Sequence, residues 1–317
     1  MLASFRGSVP RPPAHGPHHN GHHGHKGRRI AEVGEYGAVL PRVNRDIRQA
    51  AVAGTWYSAS GEQLADDVDR YLASATEAPR LRDLVAIIAP HAGLMYSGPV
   101  AAHAYQQLKG RSIDVIVLVG PAHAGGFDGV ALYAGGGFDS PLGVAHVDSE
   151  YAARILAASP VVQPNRAPHA REHSLEMQLP FVRRLAPKAT IVPLLMGRQT
   201  EETARLLGQA LAEAALDRAV LLVASTDLSH YEDRATAERL DRVVIDHVQR
   251  FDADGLQAAL IANPNHACGG GPAVAVMRAA RALGARDSVI LNYADSGEVS
   301  GDTSLVVGYL AAALGSS

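Results

Sequence analysis

The sequence predicts an α/β fold, in which a central, largely buried mixed sheet is flanked by helices within a single domain. Two observations predict it. From about Arg48 onward, short continuous apolar runs alternate with helix-patterned segments, and such runs are typical of strands covered on both faces. The composition, with 47% hydrophobic and 19% charged residues among 317, is that of an ordinary globular protein. No linker-like break follows residue 44, so residues 44–317 are predicted to form one domain.

The predicted elements follow one another in a regular order. Leu64, Val68 and Leu72 are spaced as one face of a helix. Later helices are predicted from the same periodicity, and strands from short apolar runs that end in Gly, Pro or Asp. The further helices are predicted at 99–108, 169–185, 203–216, 234–250 and 269–285, and the strands at 84–93, 114–125, 189–197, 219–230, 287–297 and 303–314.

Residues 1–43 differ from the rest of the chain because they are rich in Pro, Gly and His and contain little to bury. Such a segment is expected to be disordered. It holds six of the fifteen histidines: His15, His18, His19, His22, His23 and His25. The segment is either a polar low-complexity leader or a loose arm that scavenges metal ions.

Composition excludes several classes of protein. A net charge of −3 argues against a general nucleic-acid surface. No apolar run is long enough for a membrane-spanning helix, so no membrane association is expected. The single cysteine, Cys268, excludes an intramolecular disulfide and fits a reducing compartment. The first residues lack the apolar core of a secretory signal, so a cytoplasmic protein is expected.

Polar side chains follow three of the predicted strands. The runs "AIIAPHAG" and "IVLVGPAHAGG" deliver His91 and His123, and "LLVASTDLSH" delivers Asp227 and His230. Carboxylates and imidazoles are costly to bury unless they are paired or bound to something. If these strands are parallel, their ends share one edge of the sheet and the side chains converge on one crevice, where α/β sheets bind ligands.

Two further segments add candidates. Cys268 precedes a glycine run that opens a predicted helix, and a helix N-terminus lowers the pKa of a thiol and favours thiolate. The alternative is a small buried hydrophobic residue, the usual fate of a free cysteine. Glu172 and His173 are expected at the start of the helix in 169–185, where they could cap the helix or orient metal ligands.

Aromatic residues near the histidines are candidates to shape a pocket mouth. Tyr57, Tyr96 and Tyr293 each offer an apolar ring and a hydroxyl that could reach water or substrate. Trp56 is the only tryptophan and lies in the apolar segment "AVAGTWY". We expect it to be buried and structural.

Together the motifs resemble the Memo family, also called AmmeMemoRadiSam system protein B. The matching segments are "AGTWYSASGEQL", "APHAGLMYSGPVAAHAY", "VGPAHAGG", "EHSLEMQLPF", "STDLSHY", "CGGGP" and "YADSGEVSGDTSLVVGY", which occur in family order over residues 50–311. The family's fold is similar to that of class III extradiol dioxygenases, which are non-haem iron enzymes.

The resemblance implies a metal site. Its metal-binding set of two histidines and a cysteine corresponds here to His91, His123 and Cys268, with Asp227 and His230 nearby. Two imidazoles and a thiolate suit one transition-metal ion, with Fe(II) favoured and Cu or Zn as alternatives. Extradiol enzymes have a carboxylate where this chain has the softer Cys268.

Three classes of function follow. The first is a metal-dependent, oxygenase-like redox protein acting on a small substrate. In it His230 is the general acid/base and Asp227 orients it or stabilises its charge, because imidazoles titrate near neutral pH. The second class uses the same fold to bind metal or a partner protein without turnover. The third is a hydrolase with Cys268 as nucleophile and His230 as its base. The resemblance also implies AMMECR-type and radical-SAM proteins as partners.

Overall fold

The computed structural model describes residues 46–75, 79–124, 126–215 and 218–317. The predicted leader, residues 1–43 with its six histidines, lies outside the described residues. Within the described ranges, no helix is long and apolar enough to cross a membrane.

The described chain alternates helices and strands. The helices are α1 Gly61–Ser74, α2 Leu94–Gln106, α3 Ser149–Ala158, α4 Leu179–Leu185, α5 Glu201–Glu213, α6 Arg234–Gln249, α7 Ala253–Ala262, α8 Gly270–Ala282 and α9 Gly297–Ser300. The strands are β1 Ile47–Arg48, β2 Asp83–Ala89, β3 Val115–Pro121, β4 Val130–Leu132, β5 Gly137–Phe138, β6 Ala145–His146, β7 Val162–Pro164, β8 Thr190–Met196, β9 Val220–Ser225, β10 His230–Glu232, β11 Asp287–Asp295 and β12 Val306–Ser316.

A nine-stranded mixed sheet forms the centre. Its order is β10-β12-β2-β9-β3-β8-β4-β7, with β11 paired to β12, and β1, β5 and β6 form a separate small sheet. The four neighbouring strands β2, β9, β3 and β8 are parallel, whereas β12 runs antiparallel to β2. The predicted α/β architecture, a single domain with a central mixed sheet flanked by helices, is confirmed.

The apolar runs are continuous because both faces of the sheet are covered. In β3, Val115, Val117 and Val119 point to one core, and Ile116 and Leu118 point to the other. The first core is completed by α3, α5, α6, α7 and α8. The second is completed by α1, α2 and α4. Each core removes apolar surface from water, which is the dominant favourable contribution to folding.

The segment 169–185 differs from its prediction as one helix. Residues Ala167–His169 and Glu176–Gln178 form short 3-10 turns, and the α-helix begins only at Leu179. Pro180 lies in the first turn of α4, where its missing N–H leaves no intrahelical hydrogen bond unmade. Glu172 and His173 lie in an irregular segment before the second 3-10 turn, where the carboxylate of Glu172 accepts hydrogen bonds from several backbone N–H groups.

Candidate metal centre

Three predicted site residues occupy the same offset on three adjacent strands. His91, Asp227 and His123 each lie two residues after the last residue of β2, β9 and β3, respectively. These strands are parallel neighbours, with β9 in the middle. Their carboxyl ends therefore deliver two imidazoles and a carboxylate to one edge of the sheet, as the sequence predicts.

His91 is buried, and both of its ring nitrogens have partners. Its Nδ1 lies 2.9 Å from Ser225 Oγ, and its Nε2 lies 3.3 Å from Cys268 Sγ. Its backbone N–H donates to Asp227 Oδ1 at 2.7 Å. Burial lowers the pKa of His91 to about 3, with neighbouring His123 acting in the same direction. The ring is therefore uncharged at neutral pH, as a metal-binding imidazole must be.

His123 is held by Glu172. Its Nδ1 lies 2.8 Å from Glu172 Oε1 and its backbone N–H donates to Oε2 at 2.6 Å. The same carboxylate accepts from the backbone N–H groups of His173 and Ser174, each at 2.9 Å. Burial alone would raise the pKa of Glu172, but the hydrogen bonds from His123 and the backbone outweigh it and lower the pKa to about 2. The carboxylate therefore accepts a hydrogen bond from the Nδ1–H group of His123, which leaves Nε2 free.

Cys268 approaches the strand ends from the loop before α8. Its backbone N–H donates to Asp227 O at 3.3 Å, and the Asp227 N–H points to Sγ at 3.4 Å. The next residue, Gly269, donates to Thr226 Oγ1, and a Cβ there would collide with the Ser225 carbonyl. Glycine thus permits the close approach that brings Sγ to His91.

The expected lowering of the Cys268 pKa is wrong. Burial raises the pKa of this thiol, and the nearby Asp227 carboxylate adds to the effect. Desolvation outweighs the helix N-terminus because Cys268 lies before the first residue of α8. Without a bound cation, the sulfur is a neutral thiol.

The donor atoms of His91, His123 and Cys268 all lie within 4.8 Å of one another. In a tetrahedral site with typical metal–nitrogen and metal–sulfur bonds, the nitrogen and the sulfur lie roughly 3.5 Å apart. The distance between His91 Nε2 and Cys268 Sγ is 3.3 Å, which is close to this value. The donor set is two neutral imidazoles and one sulfur, the ligand types that select transition metals over Mg or Ca. The residues present therefore fit one such ion.

His173 and Trp56 extend the site outward. The His173 ring stacks on that of His123 with centroids 4.4 Å apart, and the centroid of the Trp56 ring lies 4.2 Å from that of His173. Burial lowers the pKa of His173 to about 4. The expected burial of Trp56 is wrong: the residue is 37% exposed, because its ring covers a rim histidine rather than entering either core.

A second possible ligand group consists of His123, Glu172 and His173. Both oxygens of Glu172 already accept hydrogen bonds from backbone N–H groups and from His123. The carboxylate therefore serves better as a support for His123 than as a ligand.

His230 is half-buried and lines a cavity together with Cys268. Its Nδ1 is 2.9 Å from the Leu228 carbonyl, which can only accept, so Nδ1 is protonated and Nε2 is free. The orienting partner of His230 is thus Leu228 rather than Asp227, whose carboxylate bonds the His91 N–H instead. Burial raises the pKa of Asp227.

Two cavities meet at Cys268. One of about 260 Å³ is lined by His230 and Glu232, and one of about 350 Å³ by Leu260 and Ile261. Both also border Pro264 and Ala267. Cys268 and His230 therefore line the same cavity of about 260 Å³, which is somewhat smaller than a typical small-molecule pocket.

Two of the three tyrosines proposed for the pocket mouth, Tyr57 and Tyr293, have hydroxyl groups that are engaged by carboxylates. The Tyr57 hydroxyl is buried and donates to Glu176 Oε1 at 2.6 Å. The Tyr293 hydroxyl donates to Asp241 Oδ2 at 2.8 Å. Tyr96 is half-buried against the core that contains α1 and α2.

Sequence reasoning missed Ser225 and Gln178, which are completely buried beside His91. Each is a single polar residue beside apolar residues in the sequence, which is a weak signal of function. The role of Ser225 becomes visible only in the structure, where its hydroxyl contacts the His91 ring.

The chain is similar to known proteins over most of its length. The family model described as Memo-like protein matches residues 48–313. A MEMO1 family protein of Methanopyrus kandleri is 38% identical over 275 residues, which are 83% of this chain and 97% of the relative. One of Methanothermobacter thermautotrophicus is 38% identical over 272 residues, 83% of this chain and 98% of the relative. One of Methanosarcina mazei is 37% identical over 269 residues, 84% of this chain and 98% of the relative.

Proposed function

The chain belongs to the Memo-like protein family, and from that premise we propose that it is a metal-dependent redox protein acting on a small substrate. One transition-metal ion would bind to His91, His123 and Cys268, with Fe(II) favoured and Cu or Zn as alternatives. The observation that supports this most is the convergence of three donor atoms within 4.8 Å.

The ligand chemistry supports the choice of metals. Imidazole nitrogen and cysteine sulfur prefer Fe(II), Cu and Zn, whereas Mg and Ca prefer oxygen. Bound Fe(II) or Cu would supply one-electron redox chemistry at the strand ends. The protein's part is to hold two neutral imidazoles and one sulfur together, and to keep part of that group out of water.

His230 is suited to move a proton. Its Nδ1–H is occupied by the Leu228 carbonyl, so Nε2 is the atom that accepts or returns the proton of a substrate. It borders the same cavity as Cys268. Asp227 acts differently: it holds the backbone of His91 and places a carboxyl group close to the sulfur.

The cavities also restrict the substrate. Among the described residues that line them, none is Lys or Arg, whereas Glu232 lines one cavity and Leu260 and Ile261 line the other. A phosphorylated or strongly anionic substrate would find no cationic side chain there, and the metal ion would be the one positive charge near it. We propose a small, uncharged or weakly charged organic molecule.

Anaerobic calorimetric titration with Fe(II), Cu and Zn tests the metal site. The full chain is used with its six leader histidines replaced by glutamine, so that they do not mask the result. We expect one ion per chain. Loss of a supporting residue costs about 10- to 100-fold in affinity, so Cys268→Ser should cost at least about 100-fold. His266→Gln, two residues away, is the control that should leave affinity unchanged, since its Nδ1 bonds the Leu240 carbonyl.

Oxygen uptake tests turnover. The protein loaded anaerobically with Fe(II) is exposed to O₂ with a panel of small phenols, and uptake is compared with that of free Fe(II). His230→Gln should keep the metal affinity and abolish uptake. Binding without any uptake would leave metal or partner binding as the function, and absence of binding would overturn the proposal.

The cysteine-hydrolase alternative is disfavoured. A nucleophilic cysteine needs a lowered pKa, whereas burial raises that of Cys268. The imidazole nearest to its sulfur belongs to His91 rather than to His230.

A further inference from the structure

We propose that Ser225 holds His91 in the tautomer that leaves Nε2 free for a metal ion, and that Gln178 and Tyr105 fix Ser225 in this role. The tautomer itself follows from hydrogen bonds alone. Its consequence for metal affinity rests on the proposed function. Ser225 and Gln178 are thus positioning residues that act through His91.

The orientation of Gln178 is determined by two neighbours. Its Nε2 lies 3.0 Å from the Pro90 carbonyl, which can only accept, so the amide nitrogen must face that side. Its Oε1 accepts from the Tyr105 hydroxyl at 2.9 Å. With the amide held in this way, its second N–H donates to Ser225 Oγ at 2.8 Å.

The Ser225 hydroxyl then has only one possible arrangement. It carries a single hydrogen, which it donates to the Ser174 carbonyl at 2.6 Å. Its two acceptor positions are left for Gln178 and for His91 Nδ1, which lies 2.9 Å away. Nδ1 must therefore be the donor, and it carries the ring's proton.

The other ring nitrogen follows from this assignment. An imidazole that binds a metal is uncharged and has one proton, so with Nδ1 protonated its lone pair is on Nε2. That atom is the one that faces Cys268 Sγ. Free imidazole side chains prefer the tautomer with the proton on Nε2, and in His91 that proton would block the atom that binds the metal. The hydrogen bond to the Ser225 hydroxyl therefore stabilises the less common tautomer, which has the proton on Nδ1.

The whole network is shielded from water. Ser225, Gln178 and Tyr105 are fully buried, and Tyr105 is held by stacking on Phe181 with centroids 4.9 Å apart. No water is needed to satisfy these groups, because each described contact pairs a donor with an acceptor. The geometry is therefore rigid before any metal arrives, as preorganised sites require.

The experiment reads the tautomer directly. The ¹⁵N-labelled full chain, kept metal-free with chelator, is studied by long-range ¹H–¹⁵N correlation, and His91 is assigned by comparison with His91→Asn. We expect a protonated Nδ1 and an unprotonated Nε2. Ser225→Ala should shift the ring toward the Nε2–H tautomer, and Ser225→Thr, which keeps the hydroxyl, should restore the parent pattern.

Two further variants complete the test. Ser229→Ala removes another fully buried hydroxyl four residues away and should leave the tautomer of His91 unchanged. Tyr105→Phe keeps the stacked ring and loosens Gln178, so it should give a partial shift even if Ser225→Ala does not fold. Zn affinity measured by calorimetry should fall about 10- to 100-fold in Ser225→Ala and stay constant in Ser229→Ala.

The outcomes separate this proposal from the metal site. An Nε2-protonated His91 in the parent, or an unchanged tautomer in both Ser225→Ala and Tyr105→Phe, overturns the role of Ser225. The expected tautomer in a parent that binds no metal supports the hydrogen-bond assignment and instead overturns the proposed function.

Discussion

The Nε2 atom of His91 lies 3.3 Å from the Sγ atom of Cys268, although 177 positions separate the two residues in the chain. Burial lowers the pKa of the imidazole to about 3 and raises the pKa of the thiol. The metal-free pair is therefore a neutral imidazole facing a neutral thiol. A metal ion that takes the sulfur as ligand must displace the thiol proton.

This pair predicts how metal affinity depends on pH. Each ion should release one proton, and it should come from Cys268 because the His91 ring is already uncharged at neutral pH and keeps its single proton on Nδ1. Between about pH 6 and pH 9, affinity should rise roughly tenfold per pH unit. Calorimetry in buffers of different ionisation enthalpy, with the leader histidines replaced, measures the released proton.

Cys268→Ser is the control for this pH dependence. A serine hydroxyl stays protonated when it ligates weakly, so the variant should bind with a nearly flat pH profile. A parent whose affinity does not change across this range would show that the sulfur does not bind as thiolate.

Trp56 should report metal binding. It is the only tryptophan of the chain and lies 4.2 Å from His173, which stacks on His123. We expect Cu to quench its fluorescence with a stoichiometry of one, whereas Zn should only shift its emission. Quenching in Cys268→Ser should require far more Cu. Because the ring is 37% exposed, acrylamide should also reach it, and resistance to acrylamide would contradict this placement.

Tyr57 should contribute to stability rather than to metal binding. Its hydroxyl donates to Glu176, which is also paired with buried Arg48 at 2.6 Å. Tyr57→Phe leaves that carboxylate short of one donor and should lower the free energy of unfolding by about 1.5–3 kcal/mol. Urea denaturation measures it. The control Tyr231→Phe, at a residue that is 71% exposed, should leave the free energy of unfolding almost unchanged. A loss of metal affinity in Tyr57→Phe would contradict this prediction and would support a place for Tyr57 in the pocket.

His169 should make the fold sensitive to acid. Burial lowers its pKa to about 4. A hydrogen bond to the Ala131 carbonyl opposes this shift, and the nearby charge of Arg48 adds to it. The unfolded chain takes up this proton near pH 6.5, before the folded chain does. Stability is therefore complete above pH 6.5 and is lost as the pH falls toward 4, by up to about 3 kcal/mol for this residue.

The comparison of His169→Gln with His146→Gln tests that contribution. Denaturation curves at pH 7 and pH 4.5 should show a smaller loss of stability in His169→Gln than in the parent. His146 is exposed, so its replacement should leave the pH dependence unchanged. Equal losses in all three proteins would remove His169 from the acid response.

Some predictions from sequence were wrong where packing decided the outcome. Trp56 lies in an apolar segment, yet its ring covers His173 at the rim. Residues 169–185 have helical spacing, but the α-helix begins only at Leu179, and Glu172 lies in an irregular segment beside His123. Apolar periodicity indicates which positions of an element are buried, and it does not indicate which neighbouring residues bury them.

The sequence by itself indicated the main buried strands and the polar residues that close three of them. Continuous apolar runs such as Val115–Pro121 are typical of strands covered on both faces. The structure fixed where β2, β3 and β9 end, which places His91, His123 and Asp227 two residues beyond them. The tertiary structure alone decided that β9 lies between β2 and β3. It also decided that Cys268 returns to His91 and that Ser225 bonds the ring. The physical reason is range: local patterns act over a few residues, whereas strand order and hydrogen-bond partners depend on groups far apart in the chain.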